Sequence, residues 1–195
     1  MAIRNPQSAI GLFGGSFNPP HLAHVMVAAW ALAGGEVGQV WVIPSGGHPF
    51  GKKLAPFPER LELCRLAFDC FGERVRLLEL ESDPSVHYSI DTLHRLRKLY
   101  PGRRWRWIMG SDTLEDAAHW KAWDELIRLA PPLIVPRQGH NGSAAARPGE
   151  FALPDISSTL LRRLLAERRL DGIENLIPRP VLERILERGL YLEPS

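Results

Sequence analysis

Two histidines three residues apart, just after a glycine pair, are the residues of this chain best placed to do chemistry. They stand in Ile10-Gly11-Leu12-Phe13-Gly14-Gly15-Ser16-Phe17-Asn18-Pro19-Pro20-His21-Leu22-Ala23-His24. The stretch opens apolar, as a buried strand does, and breaks at Gly14-Gly15. It then crosses a proline-stiffened turn and enters a run with Val25, Met26 and Ala29 at helical spacing. Strand, glycine turn and helix is how a parallel α/β sheet builds a phosphate site. Glycine lets the backbone approach the ligand, and the helix start presents unpaired N–H groups at a positive dipole end. On one face of the first helical turn, His21 and His24 could donate to phosphoryl oxygens where negative charge builds up. A P-loop would need Gly-Lys-Ser/Thr and a dinucleotide fingerprint would need G-x-G-x-x-G; neither is present. Zinc is a weaker reading, because H-x-x-H lacks the spacing of metalloprotease helices and no cysteine or carboxylate falls nearby. A packed histidine beside a solvated one is the bland alternative.

A second anion site is written further along. In Asp155-Ile156-Ser157-Ser158-Thr159-Leu160-Leu161-Arg162, either Ser157 or Ser158 can cap a helix whose core face is Leu160, Leu161, Leu164 and Leu165. Arg162 lies one turn after Ser158, and helical side chains lean toward the N-terminus. Hydroxyls, backbone donors and guanidinium then converge on one anion. Gly110-Ser111-Asp112 follows an apolar run: Gly110 would allow a nucleotide close, and Asp112 would accept from a ribose or an adenine amine, or simply cap a helix. Ser89 is expected as an N-cap with Thr92 at the third helical position. Pro44 to Lys53 is a glycine loop with His48, Lys52 and Lys53, able to close over a triphosphate or to remain a solvated turn. Arg103-Arg104-Trp105-Arg106-Trp107 interleaves cations with aromatics, as single-strand nucleic-acid binders do. With no companion patch, a strand with alternate residues on opposite faces explains it better.

These groups need a scaffold, and the chain supplies one. At 195 residues and 45% hydrophobic it can bury a full core as a single domain, 1–195, with a C-terminal helical part at 156–195. A net charge of +2 is too small to argue for a nucleic-acid or membrane partner. Cys64 and Cys70 form no C-x-x-C, so a disulfide framework and a zinc site are both unsupported and a reducing cytoplasm is the default. No run approaches the ~18 apolar residues of a membrane span, and the first residues lack a signal peptide's apolar core. A soluble cytoplasmic protein is expected, its homo-oligomeric state left open. Strand-like runs at Ala9 to Phe13, Gln39 to Ile43, Val75 to Leu80, Trp105 to Met109 and Leu133 to Val135 alternate with helical ones. The helices are expected up to about Leu32, then at Glu59 to Phe71, Ile90 to Leu99, Thr113 to Leu129, after Ser157, and at Pro178 to Gly189. This is the pattern of an α/β, doubly wound parallel sheet, which binds ligands at the carboxyl ends of its strands. Gln138 to Gly149 is a low-complexity stretch expected to be a surface loop.

GGSFNPPHLAH resembles the G-G-T/S-F-D/N-P-x-H-x-G/A-H signature of the nucleotidylyltransferase superfamily, and Ile156 to Arg162 resembles its I-S-S/x-T-x-x-R. The whole chain is similar to the bacterial nicotinate mononucleotide adenylyltransferases. His87-Tyr88-Ser89-Ile90-Asp91-Thr92-Leu93 resembles that branch's S-Y-T-x-x-T-L, and Gly110-Ser111-Asp112-Thr113-Leu114 its G-x-D-x-L. The resemblance implies a Rossmann-like fold and adenylyl transfer from ATP to nicotinate mononucleotide, with Mg²⁺ held mainly by the ATP phosphates. Implied catalytic residues are His21, His24 and Arg162. Implied ATP contacts are Gly14, Gly15, Ser16, Phe17, Gly110, Asp112, Ile156, Ser157 and Ser158. Implied mononucleotide contacts are Ser45, Lys52, Ser89, Thr92 and Trp120, with Trp120 stacking on the pyridine ring. The chain departs from the family in its second loop, where P-x-x-x-P-P-H-K is replaced by Pro44-Ser45-Gly46-Gly47-His48-Pro49-Phe50-Gly51-Lys52. That departure keeps a sister enzyme with nicotinamide mononucleotide or phosphopantetheine as acceptor in play, beside a nucleotide sensor without turnover.

Overall fold

Five short apolar runs pair side by side in the computed structural model, which describes residues 8–47, 54–83, 88–111, 113, 120–136 and 153–193. They are β1 (Ala9–Gly15), β2 (Val37–Pro44), β3 (Val75–Leu77), β4 (Trp105–Gly110) and β5 (Pro132–Val135). Every pairing is parallel, in the order β3-β2-β1-β4-β5. Parallel neighbours cannot be joined by hairpins, so helices carry the chain across the sheet faces. These are α1 (Leu22–Ala33), α2 (Phe57–Phe68), α3 (Ser89–Leu99), α4 (Trp123–Leu129), α5 (Ser158–Ala166) and α6 (Arg179–Arg188). Two buried clusters follow from the alternation of strand side chains. Phe13, Val27, Leu63, Leu161 and Val181 belong to the cluster under α1, α2, α5 and α6. Ile10, Leu12, Leu93, Trp107 and Leu126 belong to the cluster under α3 and α4. The sheet is doubly wound, as the sequence implied.

The direction of winding reverses between β1 and β4, the place where such sheets open a crevice. Leu12 pairs with Trp107, so Gly15 and Gly110 end these two strands at the same level. Both expected close-approach glycine sites therefore lie at that crevice.

Several element boundaries differ from the sequence reading, three of them by more than a residue or two. The second helix ends at Phe68 and continues as a 3-10 helix over Asp69–Arg74, interrupted by Gly72 at φ 52. β3 stops at Leu77, and Leu80–Ser82 is a 3-10 turn instead of strand. The helix expected from Thr113 to Leu129 is broken at Ala122, which takes a left-handed conformation (φ 52, ψ 44) just before α4. No glycine or proline marks that break. Gln138 to Gly149 lies outside the described residues. In the Arg103 to Trp107 run, β4 begins at Trp105, and both tryptophans are buried. Its Arg106 donates to the carbonyls of Pro131 and Pro132, both at 2.9 Å, and pairs with Glu36. Among the described residues, no helix is long and apolar enough to cross a membrane.

Candidate active site

The turn between β1 and α1 is built on a strained residue. Phe17 has φ 45, a conformation that costs a bulky L-residue about 1–2 kcal/mol. It is 0% exposed, edge-on to Phe13 (5.4 Å) and Phe68 (6.1 Å) and tilted against His24 (4.8 Å). That burial offsets the strain and makes the ring a wedge under the turn, so any contact of Phe17 with a nucleotide falls to its backbone. His21 is the N-cap of α1, and His24 is the third helical residue. The backbone N–H of His21 donates to His24 Nδ1 at 3.1 Å, and the two rings stack at 3.7 Å. An accepting Nδ1 places the proton of a neutral ring on Nε2, so His24 can present a donor. Glu or Gln usually fills this helix position and reaches back to the N-cap. Histidine does so without adding a negative charge, and the first turn of α1 has no acidic residue. His21 is 2% exposed, whereas His24 is partly exposed.

α5 comes back to the same turn from far along the chain. Ser157 is its N-cap, the hydroxyl accepting from the Leu160 N–H at 3.2 Å. Ser158 Oγ donates to the Pro19 carbonyl at 2.9 Å, and Arg162 Nη1 donates to the Asn18 carbonyl at 2.8 Å. The starts of α1 and α5 thus flank one turn. His24, Ser157, Ser158 and Arg162 are gathered around it. Ile156 is 6% exposed and its N–H donates to the Pro154 carbonyl at 2.9 Å, which leaves a nucleotide contact to its carbonyl.

On the other side of β1, Ser45 is the residue after β2 and its N–H donates to the Gly15 carbonyl at 2.9 Å. His48, Lys52 and Asp112 lie outside the described residues. α3 begins one residue earlier than expected: Tyr88 is the N-cap and Ser89 the first helical residue, so Ser89 does not cap. The N–H groups of Asp91 and Thr92 both donate to the Tyr88 carbonyl, which narrows the donors of this helix start to Ser89 and Ile90. The Thr92 hydroxyl is turned to Glu81, donating to Oε1 at 3.0 Å. Burial pushes the Glu81 carboxyl up to about 7, with the Thr92 hydroxyl and the Gly46 N–H drawing it back down. Trp120 is half-buried, edge-on to Trp107 (6.4 Å) and Trp123 (6.1 Å).

Two residues of this region escaped the sequence reading. Glu81 is one. Arg60 of α2 is the other, 1% exposed and donating to the carbonyls of Ser16, Ser45 and Ala55. A signal for Arg60 does exist in the sequence, because it shares the inward face of α2 with Leu63, Cys64 and Ala67 at helical spacing.

Known proteins resemble this chain in sequence and in fold. The cytidylyltransferase-like family model matches residues 12–164. A protein of Anaeromyxobacter sp. (strain K) described as a probable nicotinate-nucleotide adenylyltransferase is 46% identical over 93% of this chain and 96% of its own length. The chain belongs to the nicotinate-nucleotide adenylyltransferase family. A Myxococcus xanthus protein described in the same words is 35% identical over 95% of this chain and 96% of its own. Among solved structures, a Plasmodium falciparum nicotinic acid mononucleotide adenylyltransferase complexed with NaAD superposes with a TM-score of 0.78. It is 22% identical, over 94% of this chain and 97% of that one, so the likeness is one of fold.

Proposed function

We propose that the chain transfers the adenylyl group of ATP to nicotinate mononucleotide, giving nicotinate adenine dinucleotide and pyrophosphate in NAD biosynthesis. The observation that carries this reading is the fastening of α5 to the turn at residues 16–19, which sets two helix starts, His24 and Arg162 around one backbone turn. Such a concentration of donors suits a polyphosphate. A phosphate oxygen of the mononucleotide attacks the α-phosphorus in line. The new P–O bond forms as the bond to the bridging oxygen breaks, and pyrophosphate leaves with that electron pair. The attacking oxygen is already anionic at neutral pH, so no protein base is required. Catalysis rests on positioning and on charge stabilisation.

His24 is assigned to the α-phosphate and bridging oxygens, with His21 stacked behind it. Ser157, Ser158 and Arg162 are assigned to the leaving pyrophosphate. Gly14, Gly15, Ser16 and the Phe17 backbone take the triphosphate, and Gly110, Asp112 and the Ile156 carbonyl the nucleoside. Ser45 and Lys52 border the acceptor, and Trp120 stacks on its ring. Among the described residues no three His, Cys, Asp or Glu side chains are grouped to hold an ion. Mg²⁺ is assigned as an ion carried by phosphate oxygens and water, where it would neutralise phosphate charge. Two free cysteines fit a cytoplasmic location.

The N–H groups of Ser89 and Ile90 suit a carboxylate on the acceptor. Nicotinamide mononucleotide is the second reading, and Glu81 favours it, because a carboxylate at the start of α3 could accept from an amide NH₂. Pyrophosphate release with ATP and each mononucleotide in parallel tests both. The expected preference for nicotinate is at least about tenfold in kcat/KM, the scale of one mismatched buried polar group. A reversed preference assigns the acceptor to the amide, equal efficiencies mean that the carboxylate is not read at the start of α3, and no release with either rejects adenylyl transfer to a pyridine mononucleotide.

A further inference from the structure

The reaction as assigned above makes no use of the buried guanidinium of α2. Arg60 Nε donates to the Ala55 carbonyl at 2.9 Å, Nη1 to the Ser16 carbonyl at 2.8 Å and Nη2 to the Ser45 carbonyl at 2.7 Å. Its plane lies over the Phe57 ring, 5.5 Å from the centroid. Tyr191, Cys64 and Glu81 are the ionisable groups whose charge reaches it. Ser16 belongs to the turn after β1 and Ser45 to the loop after β2, two segments that leave neighbouring parallel strands. One planar cation therefore grips the ATP side and the acceptor side of the site from beneath.

We propose that Arg60 is a positioning residue that fixes the separation and the peptide orientation of these two segments, and with them the in-line approach of acceptor phosphate to ATP. The proposal rests on the adenylyl-transfer reading. The physical reason is the planarity of the peptide bond. In a trans peptide the N–H points opposite to the carbonyl, so drawing the Ser16 carbonyl down to Arg60 aims the Phe17 N–H the other way. Drawing down the Ser45 carbonyl does the same for the Gly46 N–H, which is directed to the Glu81 carboxyl. A lysine keeps the charge but cannot present a rigid fork to three carbonyls.

The test compares Arg60→Lys with Leu63→Ala, a core substitution on the same helix, each assayed well below its own unfolding midpoint. The expected result for Arg60→Lys is a kcat about 10²-fold lower, with KM for ATP and for the mononucleotide each within about fivefold of wild type. Leu63→Ala should keep kcat within about threefold, since lost packing alone leaves the folded fraction intact. A kcat for Arg60→Lys matching that of Leu63→Ala overturns the proposal. Should Arg60→Lys fail to fold, wild-type protein labelled with ¹⁵N-arginine gives the answer. The Arg60 Nε–H signal, assigned through its contact with Phe57, should shift on adding ATP alone and again on adding mononucleotide; a signal unmoved by both overturns it. Wild-type protein that binds ATP and shifts this signal, yet releases no pyrophosphate with either mononucleotide, refutes the assigned reaction and leaves the Arg60 tie to the ATP turn standing.

Discussion

His24 holds its place by a hydrogen bond that also decides its chemistry. With Nδ1 accepting from the His21 N–H, Nε2–H is the group it can offer to a phosphoryl oxygen. His24→Ala should lower kcat by about 10²-fold or more with little change in KM for ATP, because the loss is confined to charge that develops in the transition state. Steady-state assays decide this, and near-normal turnover would remove His24 from the mechanism. Glu81 yields a prediction of another kind. Its carboxyl is raised from 4.5 to about 7, mainly by burial. Between those values the folded chain keeps a proton that the unfolded chain has released, so stability falls as pH rises through that window. Glu81→Gln removes the ionisation. Its stability relative to wild type should be greater at pH 8 than at pH 5, by about 1–3 kcal/mol in urea unfolding. The same difference at both pH values would mean that Glu81 does not titrate there. The histidines and Arg162 were legible because their motifs are contiguous and name their own chemistry. Arg60 was legible only as part of a helix face, since its partners are backbone carbonyls, those of Ser16 and Ser45 on loops far from it in sequence, and a carbonyl leaves no mark on sequence.

At the scale of elements, the loop after β2 explains why glycine follows Ser45. A Cβ at Gly46 would stand 1.8 Å from the Glu81 carbonyl oxygen, so this loop lies directly on the Leu80–Ser82 turn. Glycine there supplies close approach, whereas the sequence suggested only flexibility. Gly46→Ala should destabilise the protein by about 1–3 kcal/mol, the scale of overpacking, and raise KM for the mononucleotide as the loop is pushed off the Leu80–Ser82 turn. A variant with wild-type Tm and KM would show that the loop can move aside freely. Strand and helix identities were legible from their periodicities, and so was the parallel sheet, whereas the order β3-β2-β1-β4-β5 was not. Two of the misread boundaries have separate causes. Ala122 adopts left-handed backbone with a side chain that gives no warning, and the short β3 ends where a 3-10 turn must bring Glu81 against Thr92.

Across the whole molecule, the last two helices are held by different forces in different places. α6 packs Val181 and Ile185, both 0% exposed, into the cluster shared with α2, while Arg184 and Arg188 pair with Glu62 and Glu59 at the surface. Ile185→Ala should cost about 2–5 kcal/mol and Arg188→Ala less than about 1 kcal/mol, because exposed ion pairs lose most of their attraction to water. Denaturant titrations that ranked the two the other way would contradict this partition. Further inward, the Leu22 N–H donates to the Leu176 carbonyl at 2.9 Å, and Ser158 and Arg162 hold the carbonyls of Pro19 and Asn18. These ties set a timetable for the newborn polypeptide. Synthesis runs from the N-terminus, so all five strands have been made before Ser158 and Arg162 exist. A nascent chain carries the histidines and the glycine turn without the clamp that completes them. With Ser158 and Arg162 assigned to the pyrophosphate as proposed, it cannot grip a triphosphate until translation has passed the clamp, and ATP meets a working site only on a nearly finished protein.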